Sequence, residues 1–463
     1  MHSILMIAAA MAMCVSTVFG QGHDLVIQSG ATFSGSGTIT VKDSIINTGV
    51  ASAMAIHGKV ILNNTTNQAI GSTSAGAIQI DSLSLWGSGT KTALVTVTVA
   101  DSLNVVSGAV FNMSGDTLII QQLSGNAGTI TTNASSVIEY IRSDGVTQSV
   151  MSGAFSGKIR LLNNSRKVLG SVMSVDSLEH SGWGLTINAN LTVNAKATID
   201  SLLTVSSGTI FSLGSGSSTI SHLIANAGTI NQSGTGSITF TNAAMSNGTI
   251  TNTSNGIVTF ANNLTGTGTV SQTAGGTMNV GGLFTQNTYT FTGTNDTVIY
   301  NSSTAQNVIG ASYYNLKISS ATDTTLANYK TATGLLTLSG NLIINSGNTL
   351  DMQGYSTSVF GAGSSNSGKI KWSAGNVYVA GGGTTDFYSP TAGNVATGTN
   401  YGSMLFSGTG MKTFAINPAT ATSSMTANLN SQITINNGVT LQVNGNLNTY
   451  GTITNNGAFN IGN

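Results

Sequence analysis

The chain has 463 residues, of which 6% are charged and 40% hydrophobic, with 58 Gly, 2 Pro and a formal net charge of zero. A globular protein usually carries roughly 25% charge, and a disordered chain is poor in apolar residues and highly charged; neither description fits. Without a basic excess to neutralise phosphates or to seek an anionic lipid surface, nucleic acid and membrane surfaces are excluded as expected partners.

In chain order, the first element is residues 1–20, which read as a secretory signal peptide. Residues 4–15 (ILMIAAAMAMCV) form an apolar stretch of suitable length, too short to span a bilayer. Val18, Phe19 and Gly20 then precede a cleavage point before Gln21. The leading residues hold His2 but no Lys or Arg, a departure from the usual pattern. Cys14, the only cysteine, follows Met13 rather than the small residue that a lipoprotein signal requires, so it reads as apolar filler. The mature chain then has no disulfide, and burial and backbone hydrogen bonding must stabilise it.

Residues 21–463 read as repeats of short strands, and internal repetition is the strongest signal. In the simple coils over 226–285, Gly228-Thr229-Ile230, Gly248-Thr249-Ile250 and Gly268-Thr269-Val270 recur at one constant spacing, with Phe240, Phe260 and Val280 in step. Gly451-Thr452-Ile453 opens another such unit. Asp-Ser-Leu recurs at Asp81, Asp101, Asp176 and Asp200, with Asp-Ser-Ile at Asp43. A longer module surrounds Gln68, Gln148, Gln306 and Asn394. An apolar pair follows each, at Leu83 and Leu85, Ile159 and Leu161, Leu316 and Ile318, and Met404 and Phe406, and a basic residue follows three of them, at Lys91, Lys167 and Lys412. This divides the chain into irregular modules at 57–135, 136–225, 298–380 and 386–463. Alternation such as Leu185, Ile187, Leu191 and Val193 between polar residues predicts strands with one buried face, and no helical stretch follows residue 20.

The fold class expected is therefore all-β, a parallel β-solenoid (β-helix) with coils of about 20 residues. A string of immunoglobulin-like sandwiches would not repeat at this period, because its strands differ individually. Stacking equivalent residues about 4.8 Å apart also explains the scarcity of charge, since like charges would stack and repel. Gly and Asn suit the left-handed corners. Pro390 and Pro418 fall in expected loops or edges.

With the module VIYNSSTAQNVIGASYYNLKIS (298–319) and the following LTLSGNLIINSGNTL, the chain resembles the β-strand-repeat surface proteins of gram-negative bacteria over most of 40–463. It is similar in architecture to autotransporter passengers and filamentous-haemagglutinin-like adhesins. The resemblance implies an exported, extracellular and cell-surface protein, structural or adhesive. Its implied partners are surface glycans, matrix or neighbouring cells, together with end-to-end self-association. Such proteins end in an anchoring barrel or sorting domain; this sequence ends inside a repeat, as expected of a fragment or of a released rod.

One cluster could carry chemistry. All three arginines (Arg142, Arg160, Arg166) and both glutamates (Glu139, Glu179) lie within 139–179, joined by Lys158, Lys167, Asp144 and Asp176. At this coil period Glu139, Arg160 and Glu179 are expected to be stacked neighbours. Two outward carboxylates are what glycoside hydrolysis requires, so the alternative to a non-catalytic protein is a polysaccharide-cleaving β-helix enzyme using Glu139, Arg142, Arg160 and Glu179. The simpler expectation is a salt-bridged patch that keeps the rod soluble and blocks sideways aggregation.

No cofactor or metal is expected. The Asp-Ser series supplies one carboxylate per motif where a calcium loop needs several oxygens, and the expected role is bonding within its own turn. Gly381-Gly382-Gly383 with Asp386 is too loose for a calcium repeat. His23, His57, His180 and His222 are isolated, without metal-ligand spacing, and no nucleophile-elbow motif pairs a serine with a histidine. Trp86, Trp183, Trp372, Tyr313 and Tyr314 are expected as core or corner fillers rather than sugar platforms. Outward Thr pairs are too irregularly spaced for an ice-matching lattice.

Overall fold

A computed structural model describes residues 5–7, 17–19, 24–27, 32–33, 37–48, 54–73, 76–320, 330–345, 347–353, 355, 357–359, 365–366, 369–371, 376–379, 381–388, 393–395, 399–407, 411–414, 419–427, 432–435, 440–443 and 446–461. The chain is all-β, with parallel β-solenoid coils roughly 20 residues apart; the described residues make about 16 turns and contain no helix. Two compact units divide it, residues 1–231 and 232–463.

In the first unit one face is a seven-stranded parallel sheet: Leu5–Ile7, Leu25–Ile27, Ile45–Asn47, Gln68–Ser72, Thr90–Ala93, Val110–Asn112 and Thr129–Thr131. Leu5–Ile7 pairs with Leu25–Ile27, and Thr17–Phe19 with residues 39–41, so parts of the expected signal segment occupy positions in the stack. Cys14 and the expected cleavage junction lie outside the described residues. A second face runs from Thr117 through Val137, Lys158 and Ser177 to Lys196, one coil at each step. A third stacks residues 148–150, 167–169, 185–187 and 203–205.

Alternation decides which side chains meet. Each strand sends successive side chains to opposite faces, so Leu185, Ile187, Leu191 and Val193 are buried while the Thr residues between them are only half-buried. Parallel register places every inward residue on its equivalent one coil away. The core is therefore a set of columns, such as Leu118, Ile138, Ile159, Leu178 and Ala197, all buried. Corners are taken by residues that tolerate positive φ, among them Asn163 and Asn295, both at 68°.

The second unit repeats the scheme with the greatest regularity. Ser237–Phe240, Ile257–Phe260, Thr277–Val280 and Thr297–Tyr300 stack with the same step each time. Thr249–Asn252 and Thr269–Gln272 do the same beside them. The expected alignment of Phe240, Phe260 and Val280 holds, and the first two rings stack with centroids 5.0 Å apart and planes within 5°. Phe284 continues the contact at 5.4 Å from Phe260. Inside the neighbouring corner Gln232, Asn252 and Gln272 are buried, each donating its amide to a glycine carbonyl (Gly234, Gly256 and Gly276). An inward polar residue is thus tolerated where a turn carbonyl needs a donor.

The Gly381-Gly382-Gly383 run forms no loop. It lies in the strand Gly381–Tyr388, with Asp386 paired to Lys369 and Leu405. Pro390 and Pro418 lie outside the described residues.

Because Phe260 is an inner member of a ring stack, Phe260→Ala is expected to lower unfolding stability by about 3–5 kcal/mol. Thr251→Ala, on an outward position, should cost no more than about 1.5 kcal/mol. Denaturant titration of the full chain measures both.

Candidate functional site

The expected charged ladder forms on the second face of the first unit. The register sets Glu139 beside Arg160 and Arg160 beside Glu179. Alternation turns all three outward, between buried Ile138 and Tyr140, Ile159 and Leu161, and Leu178 and His180. Arg160 Nη1 donates to Glu139 Oε1 at 2.9 Å and Nε donates to Glu179 Oε2 at 3.1 Å. Lys158 Nζ approaches the same Glu179 oxygen at 3.8 Å. The hydrogen bond that Glu139 accepts, helped by Glu179, raises the Arg160 pKa and secures its charge.

Arg142, the fourth residue of the enzymatic alternative, does not join them. It lies in the corner after the strand and grips Asp144, with Nε to Oδ1 at 2.7 Å and Nη2 to Oδ2 at 2.9 Å. That bond holds the Asp144 carboxyl down to about 2. Glu139 and Glu179 stand two coils apart, about 10 Å between backbones. An inverting glycosidase keeps a water between its two carboxylates; here the Arg160 guanidinium occupies that position.

The Gln and Lys modules prove to be buried corner clips, a role that sequence reasoning did not assign. Gln68 pairs in register with Lys91, Gln148 with Lys167, and Gln306 with Lys330, and all six are buried. Each Gln Nε2 donates to two carbonyls of the preceding coil: Val41 and Asp43, Ile120 and Gln122, or Val280 and Gly282. Each Lys then donates to a carbonyl of the Gln coil: Asn64 at 2.9 Å, Arg142 at 3.4 Å, or Ser302 at 2.7 Å. Lys91 also reaches Gly87 and Gly89, and Lys330 reaches Thr304. Three successive coils are fastened at one corner by side chains that would be costly to bury alone. Burial lowers the Lys91 pKa, and burial together with the nearby Arg142 lowers that of Lys167 to about 8.

The fourth module departs from this pattern. Lys412 pairs with Gly393 rather than Asn394, so no Gln-type residue stands opposite it. Lys330, unassigned at the sequence level, takes the third clip. It follows Ile318 at twice the interval that separates Lys91 from Leu85 and Lys167 from Leu161.

The remaining candidates disperse. Three Asp residues of the Asp-Ser motifs bond between coils rather than within their own turns, which corrects the expectation. Asp81 Oδ2 accepts from Gly58 N at 2.9 Å, Asp101 accepts from Gln122 at 3.4 Å, and Asp176 accepts from Asn194 at 3.2 Å. Strands shift register beside Asp81, Asp101, Asp176 and Asp200, so an extra residue is left over there. Among the described residues no three His, Cys, Asp or Glu come together in a way that could hold a metal ion. Of the expected core or corner fillers, Trp86 and Trp183 are 43% and 62% exposed and stand at corners rather than in the core. Trp86 directly follows inward Leu85, so alternation turns it out. Tyr313 is buried, its hydroxyl 3.1 Å from that of Tyr300, and Trp372 lies outside the described residues. No helix among the described residues is long and apolar enough to cross a membrane.

His180 and Ser201 form an unforeseen buried pair on successive coils, with Nδ1 2.7 Å from Oγ. Its burial inside the coil makes it an internal polar contact rather than a nucleophilic centre. No protein-family model, curated protein or solved structure matches the chain.

Burial, reinforced by Lys167, depresses the His180 pKa from 6.5 to about 4. As pH falls the unfolded chain binds this proton first. The stability His180 contributes is complete above pH 6.5 and is lost as pH falls toward 4, by roughly 3 kcal/mol. From pH 7 to 4 the unfolding midpoint of the wild type should fall relative to that of a His180→Leu/Ser201→Ala variant; parallel curves would contradict the assignment.

Proposed function

We propose that this chain is a secreted or cell-surface structural and adhesive repeat protein that acts without catalysis. On this reading residues 1–20 direct export and are removed, and the coils work outside a gram-negative cell. The contacts are with surface glycans, matrix or neighbouring cells, and copies associate end to end.

The observation that carries this reading is the outward surface. Neutral side chains donate hydrogen bonds from coil to coil: Ser102 to Ser82 at 3.1 Å, Ser271 to Thr251 at 2.8 Å, and Asn279 to Thr259 at 3.0 Å. Such rows give a stiff, uncharged, repetitive face suited to many weak contacts. The rival reading, a polysaccharide-cleaving enzyme, draws support from Glu139 and Glu179 sharing one face. Against it stands their common engagement by Arg160.

Beads coated with the full chain and with a Glu139→Gln/Glu179→Gln variant, challenged with cells and extracellular matrix, separate the two. Both should adhere, and neither should release reducing ends from a polysaccharide panel. Reducing ends released by the wild type and lost in the variant would establish the enzyme instead.

A further inference from the structure

Beside the Glu139–Arg160–Glu179 ladder runs a second outward column, in which Lys158 pairs in register with Ser177 and Ser177 with Lys196. Between the two columns lies a groove of ≈ 330 Å³ lined by Lys158, Ser177, Leu178, Glu179, Lys196 and Thr198. Its charges are unevenly committed. Glu179 is held by Arg160 at 3.1 Å, while Lys158 meets that carboxylate only at 3.8 Å. Exposed Lys196 enters no ion pair among the described residues. Two ammonium groups, each with donors to spare, thus flank the Ser177 hydroxyl from coils about 10 Å apart.

We propose that this groove binds a carboxylate-bearing sugar, a hexuronate unit of an acidic polysaccharide. The sugar carboxylate takes the Lys158 and Lys196 ammonium groups, and sugar hydroxyls donate to the free Glu179 lone pairs and bond to Ser177 and Thr198. The Glu179 carboxylate disfavours a densely charged polyanion such as nucleic acid, which would bring phosphates against it. A polymer with one charge per sugar and abundant hydroxyls satisfies both lysines and the acid. The inference rests on the adhesive reading and gives it one chemically defined contact.

The test is calorimetric titration of the full chain with oligogalacturonate, sulfated dextran and neutral dextran, at low and high salt. The same series is run on a Lys158→Gln/Lys196→Gln variant, with far-UV circular dichroism to confirm the fold. Expected are binding to oligogalacturonate that weakens with salt, a loss of about tenfold or more in the variant, and no binding of neutral dextran. If oligogalacturonate does not bind, if the variant binds it equally well, or if only sulfated dextran binds, the proposal is overturned. Bead adhesion to matrix by the Lys158→Gln/Lys196→Gln variant distinguishes the two readings. If it stays unchanged while oligogalacturonate fails to bind, the groove proposal alone falls; if adhesion is absent even in the wild type, the adhesive reading falls.

Discussion

A parallel strand hydrogen-bonded to the strand one coil away places each side chain against its own equivalent, at a spacing of about 4.8 Å. Every other feature answers to this restriction. An inward position must be apolar in coil after coil, because one interruption breaks a whole column, and Leu118, Ile138, Ile159, Leu178 and Ala197 obey it. An outward position must not repeat one sign of charge. Where charge is gathered, the signs alternate along the column as Glu139, Arg160 and Glu179. The bridges themselves are only half-buried and add little stability; their contribution is to let three charges share one column without repulsion.

Corners pose the opposite problem, since turn carbonyls face inward with no strand to bond them. The chain meets this with inward polar side chains at the strand ends. Gln68, Gln148 and Gln306 each tie two carbonyls of the coil before, and Lys91, Lys167 and Lys330 tie the Gln coil to the coil after. A buried ammonium is expensive to desolvate, and the lowered Lys91 and Lys167 pKa values register that cost. The carbonyls around Lys91 and Lys330 offset it by supplying acceptors on more than one side. In the simple coils Gln232, Asn252 and Gln272 solve the same problem without charge.

The stacking period and the inward columns were legible in the sequence because repetition at the length of one coil is itself the fold: once Phe240 and Phe260 are aligned, their contact follows. The Glu139–Arg160–Glu179 ladder was legible for the same reason. The clips were half legible. The recurrence of Gln and then Lys was visible, but a lysine reads as solvent-facing unless its position relative to the last inward residue is counted, and Lys330 breaks that count. Arg142 was misplaced because it follows the strand, where the period no longer dictates neighbours. Exposure of Trp86 and Trp183 depended on which side of a strand end each residue falls, a matter of one position. The lysine groove was invisible because Lys158 and Lys196 lie two coils apart in the sequence and meet only through Ser177 between them.

Stacking by one coil is the claim on which the columns, the clips, the ladder and the groove all rest, and disulfide trapping tests it most directly. In a Cys14→Ser background, Thr251→Cys/Ser271→Cys puts thiols on register partners, whose Cα atoms lie about 5 Å apart, within disulfide reach. Thr251→Cys/Thr290→Cys places them two coils apart, beyond that reach. The account predicts a rapid intramolecular disulfide in the first variant and none in the second, read by non-reducing electrophoresis and mass spectrometry. Absence of the bond in the first variant, or its equal formation in both, would contradict it.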